Sequence, residues 1–276
     1  STLAEWSEAA DRIRAEVLDR VVFRGEAASW RDAHGQVEWL DTIEGGPGYR
    51  IRKLRYEALP GFWIPALLYE PEQLDGLVPV VLNVNGHDAK GKAADYKQMR
   101  CINLAKRGML ALNVEWIGMG QLRGDGYHHG LTGLSGGGWQ TIFYSALDPR
   151  ITLSNPVAGY SSFLTRIEYL SDLGDSEQTP CDLATVADYT HLTALLAPRP
   201  TLLTFNQKDN CCFAAPHALP PLVGAVAPIF SLFDREANLR LQVNVSPGTH
   251  NYEVDNREAL YRMIGDHWFA DDPDYD

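Results

Sequence analysis

Residues 131 to 140 read LTGLSGGGWQ, one serine in a run of glycines, and Gly133, Leu134, Ser135, Gly136 and Gly137 match the spacing G-x-S-x-G. That spacing suits a sharp strand-to-helix turn that holds a serine at its tip in a strained backbone conformation, where its hydroxyl can act as a nucleophile. The same residues could form a flexible Gly/Ser linker. A linker stays polar, however, whereas WQTIFYSAL follows at once with Trp139, Ile142, Phe143 and Ala146 at helical spacing.

A serine needs a base and an acid to activate it, and in open α/β sheets such groups collect just after the carboxyl ends of strands. Asp209 follows TLLTFNQK and His250 follows LQVNVSPGT, in the order serine, acid, histidine. In that scheme His250 takes the proton of Ser135, and Asp209 fixes the imidazole tautomer and stabilises its charged form. Taken singly, an aspartate in KDN reads equally well as a turn residue and a histidine in PGTHNY as a loop histidine; the three roles filled in order favour the catalytic reading.

Acyl transfer also needs donors for an oxyanion. The amide of Gly136, just after the nucleophile, supplies one, and the NVNGHDAKG loop supplies the other through the backbone of His87, with Gly86 allowing close approach. His87 and Asp88 could instead ligate a metal, but no HExxH or similar pattern accompanies them. His128 and His129 lie in a glycine-rich loop that could border the pocket, and adjacent side chains rarely converge on one ion. Trp116 and Trp139 are candidate pocket walls for a sugar or an apolar acyl group, or else core residues.

These residues need elements to position them. Residues 1 to 24 read as an amphipathic helix, and VEWLDTIEGGPGYRIRKLRYEALPGFWIPALLYEP as antiparallel strands broken by GGPG and LPG turns. VPVVLNVNG is a nearly continuous apolar run of the kind buried on both faces in a parallel sheet, followed by the helical ADYKQMRCINLAKRG, capped by Gly108, and by the strand MLALNVEW. After Ser135 come a helix, the strand-like ITLSNPVAGY, the strand PTLLTFNQKDN, a helical stretch, the strand LRLQVNVSPGTHNY and a last helix NREALYRMIGDHWF. The alternation predicts one α/β domain over residues 1 to 276, a mostly parallel doubly wound sheet with antiparallel N-terminal strands and a helical extension over about 1 to 24.

The composition, 45% hydrophobic and 22% charged over 276 residues, is ordinary globular material with enough chain for a large core. Lys and Arg number 24 against 36 Asp and Glu, a net charge of -12, so the average surface repels nucleic acid and anionic membranes and fits a small neutral substrate better. No apolar run approaches the roughly 18 to 20 residues that span a bilayer, and the N-terminus does not read as a signal peptide. Cys101, Cys181, Cys211 and Cys212 make no disulfide framework, since the last two are adjacent and a vicinal bridge is strained. Free thiols lean toward a reducing, cytoplasmic compartment, although a chain of this size needs no disulfides anywhere and a removed leader would allow secretion or the periplasm.

With PGFWIPALLYEP, NVNGHDAKGK, LALNVEWIGMGQ, GLSGGGWQT, RPTLLTFNQKDNCCF and PGTHNYEVDNREALYR, the chain resembles the acetyl xylan esterase-like branch of the α/β-hydrolases, close to dienelactone hydrolase-like and prolyl oligopeptidase-like esterases. The likeness runs from about residue 55 to the end. It implies the α/β-hydrolase fold, Ser135, Asp209 and His250 as triad, the amides of His87 and Gly136 as oxyanion hole, and no metal or organic cofactor. It also implies a serine carboxylic-ester hydrolase working through an acyl-enzyme, with removal of acetyl from a carbohydrate as the leading substrate class. A peptidase or a lactone hydrolase on the same scaffold is the alternative, and a non-catalytic binding module a further one, because one scaffold hosts many functions.

One stretch does not fit. Ser135 comes only about 20 residues after Glu115, yet a parallel neighbour needs a crossover of a dozen or more residues plus about five for its own strand. WIGMGQLRGDGYHHG holds five glycines and no helical periodicity, and only Leu131 and Thr132 precede Gly133 where a buried strand should stand. Either the chain has lost a helix and most of a strand, or the sequence is closed up over missing residues between about Gly124 and Thr132. Because the loss would expose the core, the second is expected, with a break beside Gly130 and Leu131.

Overall fold

The computed structural model describes residues 2–86, 88–116, 119–122, 134–174, 178–180, 182–272 and 275. Contacts divide the chain into two compact units: Ser1–Arg31 with Gly133–Ile264, and Asp32–Thr132 with Gly265–Asp276.

The second of these is built on a five-stranded sheet in the order β1-β2-β3-β5-β4, with β1 at Val37–Ile43, β2 at Tyr49–Leu59, β3 at Phe62–Pro71, β4 at Val80–Asn83 and β5 at Leu110–Val114. β1, β2, β3 and β5 pair antiparallel in turn, whereas β4 pairs parallel to β5. The antiparallel entry follows the expected turns: Gly61 closes the β2–β3 hairpin at a φ of 80°, a left-handed value that suits a residue without Cβ. The parallel pair needs a crossover, and α2 (Asp95–Lys106) is that crossover, ending at Gly108 with φ 79°. Leu54, Ala66, Val84 and Val114 form a small apolar core.

β4 departs from expectation. Its sequence reads as buried on both faces, yet Val80 is 60% and Leu82 50% exposed. β4 is the last strand of its sheet, so one edge has no partner strand among the described residues, and Val80 and Leu82, two apart on one face, stay open.

The first unit carries α1 (Leu3–Val17), α3 (Gly136–Leu147), α4 (Phe163–Glu168), α5 (Tyr189–Ala194), β6 (Thr201–Asn206), α6 (Ala215–Leu232), β7 (Leu239–Asn244) and the start of α7 (Val254–Trp268). α1 starts at a capping box, Thr2 and Glu5 exchanging side-chain and backbone hydrogen bonds. It is shorter than the 24 residues expected: a π turn over Leu18–Val22 and a 3₁₀ turn over Gly25–Trp30 follow.

β6 and β7 pair parallel from Thr201 with Leu239 to Asn206 with Asn244. All six residues of β6 are buried, and each Leu or Phe so placed contributes about 1.5–3 kcal/mol. The strand-like ITLSNPVAGY runs parallel beside β6, bridging at Ser154 and Val157, with the Leu202 and Thr204 N–H groups donating to the Ser154 and Pro156 carbonyls, and Leu134 bridges to Val157. Among the described residues, Leu134 is the one that leads directly into the serine. Residues 123–133, including the expected break beside Gly130 and Leu131, lie outside the described residues.

α6 corrects the expectation that no apolar run reaches bilayer length: its 18 residues have a mean hydropathy of 1.3. Leu219, Leu222, Val226 and Phe230, spaced three or four apart, turn into the core of this unit. Among the described residues Cys101, Cys211 and Cys212 form no disulfide, and Cys181 lies outside those residues.

Candidate active site

Ser135 sits at φ 62° and ψ -122°. A non-glycine residue there stores on the order of 1–3 kcal/mol of strain and persists only where its surroundings fix it. They do so from both sides: the Ser135 N–H donates to the Val157 carbonyl at 2.9 Å, and the Ser135 carbonyl accepts from the Trp139 N–H at 3.1 Å. The turn also requires glycines that the G-x-S-x-G spacing does not mark. A Cβ on Gly159 would overlap the Ser135 carbonyl oxygen and the Gly138 Cα, and one on Gly138 would overlap the Val157 carbonyl oxygen and Gly159. The serine is therefore carried on a helix start pressed directly onto the 154–159 segment.

Asp209 and His250, predicted 41 positions apart in sequence, meet. The ring Nδ1 of His250 donates to both carboxylate oxygens, at 2.9 Å and 2.8 Å. The Asp209 side chain is wholly buried and that of His250 is 18% exposed. Asp209 Oδ1 also accepts the N–H groups of Cys211 (3.0 Å) and Cys212 (3.2 Å). Burial by itself favours the neutral carboxyl, but the bonds from His250, Asn206 and the Cys211 amide outweigh it and hold Asp209 below the usual aspartate range. For His250 burial favours the neutral ring, and the hydrogen bond and charge of Asp209 outweigh it, raising the ring above the ordinary histidine value.

Beneath the pair lies a set of buried asparagines that the sequence reading missed. Asn206, the last residue of β6, donates from Nδ2 to Asp209 Oδ2 at 3.0 Å. Asn256 of α7 donates to Asn206 Oδ1 at 3.1 Å, and Asn251 donates to Asn244 Oδ1, at the end of β7, at 3.2 Å. Asn244 Oδ1 accepts the Gly248 N–H at 2.8 Å, and Asn210 Oδ1 accepts that of His250 at 2.9 Å. Strand ends and histidine loop are thus tied together by side-chain amides, which both donate and accept. The available signal was the asparagine that closes each of the two parallel strands.

Ser135 is in the same unit as the pair. Among the described residues no hydrogen bond joins its hydroxyl to His250, whose bonds run to Asp209 and Asn210. Gly136 opens α3 and is buried, its N–H among those that a helix start leaves unpaired. Trp139 is half-buried against the core, 4.8 Å from Phe143 between ring centres, and donates from Nε1 to the Tyr189 hydroxyl at 2.6 Å; it lies in the core position that the sequence left open. His87 and His128 fall outside the described residues.

Trp116, in the other unit, is buried. It adjoins Glu115, whose carboxylate accepts from the Lys92 amide (2.8 Å), the Lys92 ammonium (2.7 Å) and the Gln121 amide (3.2 Å). Lys97 is wholly buried and donates to the carbonyls of Gly86 (3.2 Å) and Gly91 (3.1 Å); burial lowers its pKa to about 8. Side-chain charges therefore hold both ends of the 86–91 loop.

No protein-family model and no curated protein matches this sequence. Solved structures do. Over 97% of its length the chain is similar to a methylesterase, with a TM-score of 0.70, 18% identity and 67% of that chain covered. It is similar over 97% to a glucuronoyl esterase from Solibacter usitatus, with a TM-score of 0.66, 13% identity and 94% of that chain. It is similar over 96% to an acetyl xylan esterase from Paenibacillus sp. R4, with a TM-score of 0.56, 15% identity and 93% of that chain. At such identities the likeness shows the fold, which is that of the α/β-hydrolases.

Proposed function

We propose that this α/β-hydrolase fold carries a serine esterase that cleaves carboxylic esters of carbohydrates, with Ser135 as nucleophile, His250 as base and Asp209 as its orienting acid. The observation that carries the reading is the buried Asp209–His250 pair at the ends of parallel strands, in one unit with a serine held at φ 62°. Solved structures of the same fold are named as methyl, glucuronoyl and acetyl xylan esterases, which supports the substrate class.

In this reading Ser135 Oγ attacks the ester carbonyl carbon while His250 Nε2 takes its proton, and Asp209 stabilises the imidazolium. The Gly136 amide, at the start of α3, holds the oxyanion. Collapse expels the alcohol, which takes the proton back from His250. Water then enters by the same route and releases the acid and the free serine. A serine-directed fluorophosphonate should label Ser135 alone, and Ser135→Ala should cost about 10⁴-fold or more in kcat with the fold intact. The panel is an acetylated xylo-oligosaccharide, a methyl ester of a glucuronate, a lactone and an aminopeptidase substrate. Turnover of only the last two assigns the alternative activities, turnover of none indicates a binding module, and wild-type turnover by Ser135→Ala sinks the nucleophile assignment.

A further inference from the structure

Asp172 is wholly buried in the 3₁₀ turn Leu170–Leu173 that follows α4. One oxygen, Oδ1, takes every contact: the Phe213 N–H at 2.9 Å, the ring Nε2 of His217 at 3.0 Å and the Ser171 hydroxyl at 3.3 Å. Among the described residues Oδ2 has no hydrogen-bond partner. A buried carboxylate with half its acceptors unused is a poor source of stability, since an apolar side chain of similar bulk would avoid the desolvation cost. Its presence calls for a positional reason.

Phe213 supplies one. It closes the short loop from Asp209 to the start of α6 and stands at φ 60°, which a bulky L-residue adopts only when held there. Along this loop three successive amides go to two carboxylates: Cys211 and Cys212 to Asp209, then Phe213 to Asp172. The Phe213 N–H bond to Asp172 is thus a contact that holds this strained residue, directly after the two amides that bond Asp209. His217, on α6, contacts the same oxygen of Asp172, its ring stacked on Tyr169 at 4.0 Å and 8°.

We propose that Asp172, backed by His217, is a positioning residue for the acyl-transfer reaction, fixing through the Phe213 amide the loop that presents Asp209 to His250. The inference rests on the proposed triad. The test compares wild type, Ser135→Ala, Asp172→Ala and Asp172→Asn on an acetyl ester and follows the His250 Nδ1 proton by NMR. Asp172→Ala should lower kcat about tenfold or more with KM within about twofold, and should shift or broaden that proton signal. Asp172→Asn keeps an oxygen for the Phe213 amide and should recover most of kcat. Should the alanine variant fail to fold, Asp172→Leu fills the site and is read in the same way. Wild-type kcat in a folded Ala or Leu variant overturns the proposal, and so does a loss of kcat with an unmoved proton signal, which would travel by another route. If Ser135→Ala keeps its activity, the triad reading fails, and the proton signal alone still reports whether Asp172 holds the loop.

Discussion

His250 Nδ1 stands 2.8 and 2.9 Å from the two oxygens of Asp209, a carboxylate that also receives the Asn206 side chain and two backbone amides. An acceptor supplied in this way stays ionised, and an ionised partner fixes the proton of the ring on Nδ1, leaving Nε2 free to act as base.

The pH profile follows from the direction of both shifts. His250 is raised above its ordinary value of about 6.5 and must be neutral to accept a proton, so kcat/KM should rise with pH through an apparent ionisation above that value. For stability the signs are opposite. The gain from His250 is fully present below its unfolded pKa and is lost as pH rises through the raised folded value. The gain from Asp209 is present above its unfolded pKa and is lost as pH falls through the lowered folded value. A rate profile from pH 5 to 9 with a midpoint clearly below that of free histidine would contradict the arrangement.

Asp209→Asn leaves the shape and removes the charge. In the proposed reaction the carboxylate acts on the imidazolium that forms in the transition state, so turnover should fall by about 10³–10⁴-fold while KM changes little. Steady-state kinetics decide: an effect confined to KM would point to another acid.

Gly159→Ala tests the elbow from beneath. The added methyl meets backbone, the Ser135 carbonyl oxygen and Gly138 Cα, and backbone cannot swing aside as a side chain can. Overpacking of this kind costs about 1–3 kcal/mol, and the serine should shift with the strain. Calorimetry and ester turnover should both fall; a variant with unchanged Tm and kcat would show that the packing at Gly159 is looser than described.

In the other unit, Glu115→Ala leaves the Lys92 ammonium buried with its countercharge gone and takes the acceptor from the Lys92 and Gln121 amides. Removing one partner of a buried pair costs about 3–5 kcal/mol. Chemical denaturation should show that loss, and a change under about 1 kcal/mol would mean that the pair is solvated.

Much of the candidate site was legible in the sequence because its requirements are local. A strained turn needs small neighbours within a few residues, and an acid and a histidine each directly after an apolar run can be found without knowing which strands pair. The antiparallel entry over β1 to β3 and the crossover helix α2 were legible for the same reason, since turn chemistry and periodicity act over a few residues. What tertiary structure alone decided depends on partners far apart in the chain. Gly159 is required by Ser135, Asn206 is held by Asn256, 50 positions on, and Asp172 by Phe213, 41 positions on. Nor could a local pattern tell a buried strand from an exposed one. Val80 to Asn83 has the apolar run of a central strand, and it is half open because burial is set by what packs on each face, a property of neighbours and not of the run itself.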